Sequence, residues 1–308
     1  MGKTALFSQH QPGGVFTISD IEQHPGSIFF VNSATGTDGA GYGQNPDAPV
    51  ATLDYAIGLC TASKGDVIYV MPGHAENLTG ATSLTMDVAG VSVIGLGKGS
   101  LRPTFSLTTA TAATWNITAA NCMVKNVVIV GNFLNVAAAV TIGASAHYTT
   151  LQSVETRDTS AVLGALIQIS VAAGATDLTI DDYQHVTFTG GLTAAATNVI
   201  LAAGAVDRFK LTNSRIYAHT SAAPVALSAA ASKFVYINGV DLTNTDTSAG
   251  LGIAAHNSTT GFVDNVVTVN LKNAVAGVTG TGLSIGPNVR YSNAVNAYAG
   301  LYSYTIDS

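Results

Sequence analysis

The chain has 308 residues, of which only 10% are charged, with a mean hydropathy of +0.35 and a formal net charge of −6. So apolar a composition excludes disorder, and an acidic balance without a basic run argues against a nucleic-acid partner. No window approaches the ~18 uninterrupted apolar residues of a membrane-spanning helix, and two cysteines, Cys60 and Cys122, read as buried free thiols instead of a disulfide framework.

In chain order, residues 1–28 read as a separate arm. Its start, "MGKTALFSQHQPGG", lacks an apolar signal core, so the expectation is no standard secretory leader. Residues 29–64 read as a strand, a glycine-rich loop and one helix. Asp47 or Thr52 can cap that helix, Leu53, Ala56, Ile57 and Cys60 form its apolar stripe, and Gly65 stands just past its end. A helix here would cover the open base of a stack of strands beginning at residue 65.

Residues 65 to about 290 are repetitive. Seven segments align on Gly95, Asn126, Ser153, Asp182, Asn213, Gly239 and Asn265, spaced 31, 27, 29, 31, 26 and 26 residues apart. Two places earlier every residue is apolar: Val93, Val124, Leu151, Ile180, Leu211, Ile237 and Val263. One place later the column is Leu96, Val127, Val154, Tyr183, Ser214, Val240 and Val266. Alternate side chains of a strand share a face. One residue in the left-handed region bends the chain so that inward positions fall at −2 and +1 around it. Glycine does this without steric cost, and Asn and Asp tolerate it best among the rest. A period of this length, with short β-branched strands and no helix between them, predicts an all-β parallel solenoid of roughly eight coils. Residues 291–308 form a tyrosine-rich tail that folds over the last coil or docks on a neighbour.

The pivot column resembles the asparagine ladder of the right-handed parallel β-helix family typified by pectate lyases. That resemblance covers residues 65–290 and implies the fold. The segment "VNSATGTDGAGYGQNPDAPVATLDYAI" is similar to the lead-in of phage-encoded β-helix proteins. It implies a structural virion protein, assembled in the host cytoplasm, that decorates or projects from a bacteriophage particle. Such proteins are commonly trimeric. The expected partners are further copies of the chain, other virion proteins (the major capsid protein through the N-terminal arm) and a host surface glycan, with no membrane.

Three places invite chemistry. His74 and Glu76 stand two apart after Pro72-Gly73, as a metal or catalytic pair would, but with no third ligand nearby. They read as a turn, with His74 a turn or surface residue. The column two after the pivot reads Val128, Glu155, Gln184, Arg215, Asp241 and Val267. Stacking puts Gln184 between Glu155 and Arg215, and Arg215 beside Asp241. Glu155, Arg215 and Asp241 are the catalytic candidates of an alternative reading, a tailspike-like glycan-binding or depolymerising module. Three strand spacings, roughly 14 Å, separate Glu155 from Asp241, beyond the ~5–9.5 Å of a glycosidase pair. A polar ladder on a structural rod is therefore the expectation, with no catalytic site, no cofactor and no metal. The single Trp115 leaves an aromatic sugar platform poorly supplied. "GLGKG" at 95–99 lacks the ending of a nucleotide-binding loop and reads as a solenoid turn.

Overall fold

Short strands that cannot bury a face alone must stack, and here they stack in parallel. The computed structural model describes residues 26–187, 196–246, 252–271, 277–293 and 302–303. Expectations for most of the N-terminal arm and most of the C-terminal tail lie outside them. The lower turns carry three strands each, as in Met123–Lys125, Val128–Gly131 and Val140–Ile142. The next turn repeats them one level on as Thr150–Gln152, Glu155–Asp158 and Ile167–Val171. In the upper turns the first two run on as one, as in Lys210–Ala218, Val235–Asn244 and Gly261–Leu271. The first and second strands of all turns join into one 17-stranded sheet, and the third strands form an eight-stranded sheet. Seven spacings between those eight strands give a stack of roughly 34 Å, about seven full turns. This is a parallel β-helix.

The inward column is the one the sequence places there. Val93, Val124, Leu151, Ile180, Leu211, Ile237 and Val263 are all buried and pair in unbroken register. The column after the pivot is buried from Val127 to Val266, including Tyr183 and Ser214. Ser214 satisfies its hydroxyl on the Thr212 carbonyl at 2.7 Å.

Six of the seven pivots have the left-handed backbone, Asn126, Ser153, Asp182, Asn213, Gly239 and Asn265, with φ between 50° and 69°. Gly95 does not. A Cβ there would collide with the Asn126 carbonyl oxygen, so close approach explains this glycine. The bend is deferred to Gly97 (φ 95°) and a short 3-10 turn, Gly99–Leu101. Leu96 consequently leaves the interior and joins an outer apolar cluster with Phe30, Val67 and Tyr69. The Asn126 amide donates to the Gly95 and Gly97 carbonyls at 2.7 and 3.0 Å and fastens this longer corner.

A second left-handed column lies five residues before the first: Gly90, Asn121, Tyr148, Asp177, Arg208 and Phe234, φ 57–80°. From Gly90 to Arg208 each N–H donates to a carbonyl one turn on, as Tyr148 does to Thr176 at 3.0 Å and Arg208 to Lys233 at 2.7 Å. From Met123–Lys125 to the strand beginning at Val235, each first strand is thus bracketed by two sharp corners.

The helix, Leu53–Leu59, packs against strands of the first turn through Leu53, Ala56 and Ile57. Thr52 is its N-cap, accepting from the Tyr55 N–H at 3.4 Å. Asp38 in turn accepts from the Thr52 N–H and hydroxyl at 3.1 and 2.7 Å. Cys60, half-buried, ends the helix; Cys60 and Cys122 are both free. Trp115 is buried edge-on against Phe105, with ring centroids 4.7 Å apart, and belongs to the core. At the far end Tyr302–Ser303 pairs antiparallel with Arg290–Asn293, so this part of the tail folds back on the last turn.

Candidate functional site

His74 is not a surface residue, contrary to the sequence reading. It is buried, because the lead-in loop closes over the first corner. Its Nδ1 accepts from the Ser33 N–H at 3.0 Å, which leaves the proton on Nε2 to donate to Glu76 Oε2, also at 3.0 Å. That same oxygen accepts from the Leu53 N–H at the start of the helix. The pair ties loop, helix and first turn together. Both groups are committed to that joint, and no cluster of metal-ligating residues occurs among the described residues.

The ladder after the pivot has the order expected from the repeat: Glu155 pairs with Gln184, Gln184 with Arg215, and Arg215 with Asp241. At Glu155 the column is not a solvated one. Glu155 is only 7% exposed. Arg102, delivered by the deferred corner after Gly95, donates from Nη1 to Glu155 Oε2 at 2.7 Å, and the Arg157 Nε donates to the other oxygen. The second terminal nitrogen of Arg102 donates to the Val127 and Ser153 carbonyls at 3.1 and 2.7 Å. Two guanidiniums thus neutralise one carboxylate that has left water, as a buried charge requires. Arg215 and Asp241 remain exposed. The structure therefore does not bring Glu155, Arg215 and Asp241 together around one point.

The face it does assemble is the outward side of the first strands. Two columns point out. Three before the pivot come Ser92, Met123, Thr150, Thr179, Lys210, Tyr236 and Phe262; one before it come Lys125, Gln152, Asp181, Thr212, Asn238 and Asp264. At the upper end Tyr236 and Phe262, each 39% exposed, stack with centroids 6.2 Å apart and planes 23° apart. Phe234 stands 70% exposed at the adjoining corner, and Tyr148 58% exposed lower down it. Beside Tyr236 opens a shallow cavity of about 420 Å³ lined by Thr150, Gln152, Thr179, Asp181, Lys210, Thr212, Asn213 and Asn238. Asp181 is fixed within it. Its Oδ1 accepts from the Thr212 hydroxyl at 2.6 Å and the Asn213 amide at 2.9 Å. These bonds, the Thr212 one foremost, hold its carboxyl below the ordinary range, so it stays ionised.

None of Tyr148, Lys210, Phe234, Tyr236 or Phe262 was singled out by the sequence reading, which looked to tryptophan for a platform. The signal was available: reading the repeat alignment three places before the pivot yields Lys210, Tyr236 and Phe262 directly.

A polar island also interrupts the core. Thr156 and His185 occupy an inward column between Ile129 and Ile216. The Thr156 hydroxyl lies 2.6 Å from the Tyr183 hydroxyl and 2.9 Å from His185 Nδ1. Burial drives the His185 imidazole down to about 3, so it is neutral. Nearby, burial raises the Asp158 carboxyl to about 6, against hydrogen bonds from Thr187, the Ala165 N–H and Gln168.

No protein-family model matches the chain, and no curated protein matches it. Two solved structures do, both of the GH136 lacto-N-biosidase from Eubacterium ramulus. The native form aligns at 10% identity and a TM-score of 0.39, over 86% of this chain and 68% of that one. The selenomethionine derivative aligns at 10% and 0.44, over 87% and 67%. These matches are to a glycoside hydrolase, and they overturn the expectation that the chain is not an enzyme, which is withdrawn. Likeness at this distance assigns no activity.

Proposed function

We propose that the protein binds a glycan along the outward face of its first strands. The observation that carries this is the exposed, stacked Tyr236–Phe262 pair beside a cavity of amides, hydroxyls and one fixed carboxylate. A sugar offers C–H faces to an aromatic ring and hydroxyls to planar hydrogen-bonding groups, and this surface presents both within neighbouring columns. Parallel stacking repeats such groups every ~4.8 Å along the rod, which suits an extended polymer. Asp181 contributes an acceptor whose orientation is already fixed, so little ordering remains on binding.

The test is a glycan array probed with the native protein and with Tyr236→Ala. Saturable binding to a defined glycan, lost in the variant, supports the proposal. An array without binders, or binding indifferent to Tyr236, removes it. Measurement of released reducing ends on the glycan found shows whether binding is accompanied by cleavage.

Assembly as a trimer on a phage particle is a separate proposal. It rests on the apolar composition and the lead-in resemblance. Light scattering at micromolar concentration is expected to give three chain masses, and a monomer mass would remove it.

A further inference from the structure

The second left-handed corner changes composition where the cavity beside Tyr236 begins. Below the cavity it holds Gly90 and Asn121, types that take this backbone readily. Along the cavity it holds Tyr148, Asp177, Arg208 and Phe234 instead, each two residues before a lining position: Thr150, Thr179, Lys210 and Tyr236. The pairings Thr150–Thr179, Thr179–Lys210 and Lys210–Tyr236 put these four on successive turns. Tyr148 thus stands level with one end of the cavity and Phe234 with the other, three strand spacings or roughly 14 Å apart. They are the most exposed Tyr and Phe rings among the described residues. Between them Arg208 donates from Nε and Nη2 to the two Asp177 carboxylate oxygens at 2.6 and 2.8 Å. The corner needs only a main-chain bend, which glycine supplies without steric cost. Bulky residues held at positive φ with their rings in water serve no packing need, and such strain collects where a surface meets a ligand.

We infer that this corner is the side wall of the glycan site, and that it selects an uncharged, linear glycan lying along the rod. The inference rests on the glycan reading and names the class of its ligand. A wall that runs ring, ion pair, ring over three spacings matches a chain of roughly four pyranoses, each about one strand spacing long. The rings offer apolar faces to sugar C–H groups at both ends. Asp177 fixes the Arg208 guanidinium midway, where its remaining N–H groups donate to sugar hydroxyls. A branch on the chain would run into this wall, which favours an unbranched ligand. The charges favour no polyanion. Asp177 and Arg208 neutralise each other, and the cavity itself holds one carboxylate, Asp181, and one ammonium, Lys210. A polyanionic chain is drawn to a surplus of cations, which this wall and cavity do not present.

The probes are neutral cello-, laminari- and malto-oligosaccharides of two to six residues, titrated calorimetrically into the native protein, Phe234→Gly and Tyr148→Gly. Glycine keeps the corner N–H and takes its backbone without strain, so both variants should fold with melting temperatures near or above the native one. In the series that binds, affinity is expected to rise at least tenfold from two residues to four and to change less than twofold beyond five. Each variant should weaken the tetramer at least fivefold. Native affinity in either variant overturns the wall, and the glycan reading survives if Tyr236→Ala still abolishes binding. Weakening that comes with a melting temperature lowered by several degrees marks a structural role and also overturns it. Affinity that is flat from two residues upward overturns the linear ligand along the rod. If no neutral series binds, the inference falls. A charged or branched array binder that Tyr236→Ala loses then leaves the glycan reading standing, and an array without binders removes both.

Discussion

The two corners that bracket the first strands perform the same backbone turn with different residues. At the pivot corner the left-handed position holds Asn126, Ser153, Asp182, Asn213, Gly239 and Asn265, nearly all of the types that tolerate it. At the other corner the same backbone is imposed on Tyr148, Arg208 and Phe234. For bulky L-residues that conformation costs roughly 1–2 kcal/mol. The rod tolerates the strain because each corner N–H from Gly90 to Arg208 is held by a carbonyl one turn on. Large side chains are thereby thrown outward beside the open face, where Tyr148 and Phe234 are more exposed than any ring of the pivot corner. One corner is built for the fold; the other also joins turns, through the Arg208–Asp177 pair, but carries two rings, Tyr148 and Phe234, that the core does not use.

The comparison can be broken most forcefully at the core both corners share. Leu211 is fully buried in the inward stack, and Leu211→Ala should lower unfolding free energy by about 2–5 kcal/mol in urea denaturation. A loss under ~1 kcal/mol would mean the stack is not a packed core.

Next comes the polar island. His185 has a folded pKa below its unfolded value, so its contribution is present above pH 6.5 and is lost as pH falls toward about 3. Asp158 has the opposite sign. Its raised pKa adds stability below about pH 3.8, and that contribution disappears as pH rises through about 6. Acid destabilisation by His185 amounts to a few kcal/mol, on the order of the shift converted at ~1.4 kcal/mol per unit. In His185→Gln, denaturation midpoints should fall less between about pH 6 and 4 than in the native protein. An unchanged acid limb would show that His185 does not titrate out of a buried site.

The smallest of these effects separates the corners directly. Phe234→Gly relieves left-handed strain and should raise stability by up to ~1 kcal/mol, offset by the chain entropy glycine adds to the unfolded state. Asn213→Ala at the pivot corner should cost about 1 kcal/mol or more, because it places a less tolerant residue there and removes a bond to Asp181. Equal losses at both positions would erase the distinction drawn between them.

The pivot corner and its inward stack were legible because the repeat pairs a residue-type signal with an alternation signal, and both agree. The second corner was not, since Tyr148, Arg208 and Phe234 are types that argue against a left-handed backbone. Only the constant five-residue offset from the pivot could have revealed it. Glu155 was placed in the right column but the wrong environment. Arg102 reaches it from the corner after Gly95, where the left-handed turn falls at Gly97 instead of at the pivot, a departure that local sequence does not show. His74 was misread because its partner Ser33, and Leu53, the partner of its neighbour Glu76, are remote in sequence. Tyr236 and Phe262 are 26 residues apart and meet only through the register of neighbouring turns, so the pair was legible in the repeat alignment, read three places before the pivot, and nowhere else.

The central claim is that the outward face of the first strands holds a glycan. Its most direct test is calorimetric affinity for the array-identified glycan in Tyr236→Ala, with Tyr217→Ala as control. Tyr217 is similarly exposed, at 40%, but lies on the second strands. The account predicts at least a tenfold loss for Tyr236→Ala, about 1.4 kcal/mol, and native affinity for Tyr217→Ala. Native affinity in Tyr236→Ala, or an equal loss in both variants, would contradict it.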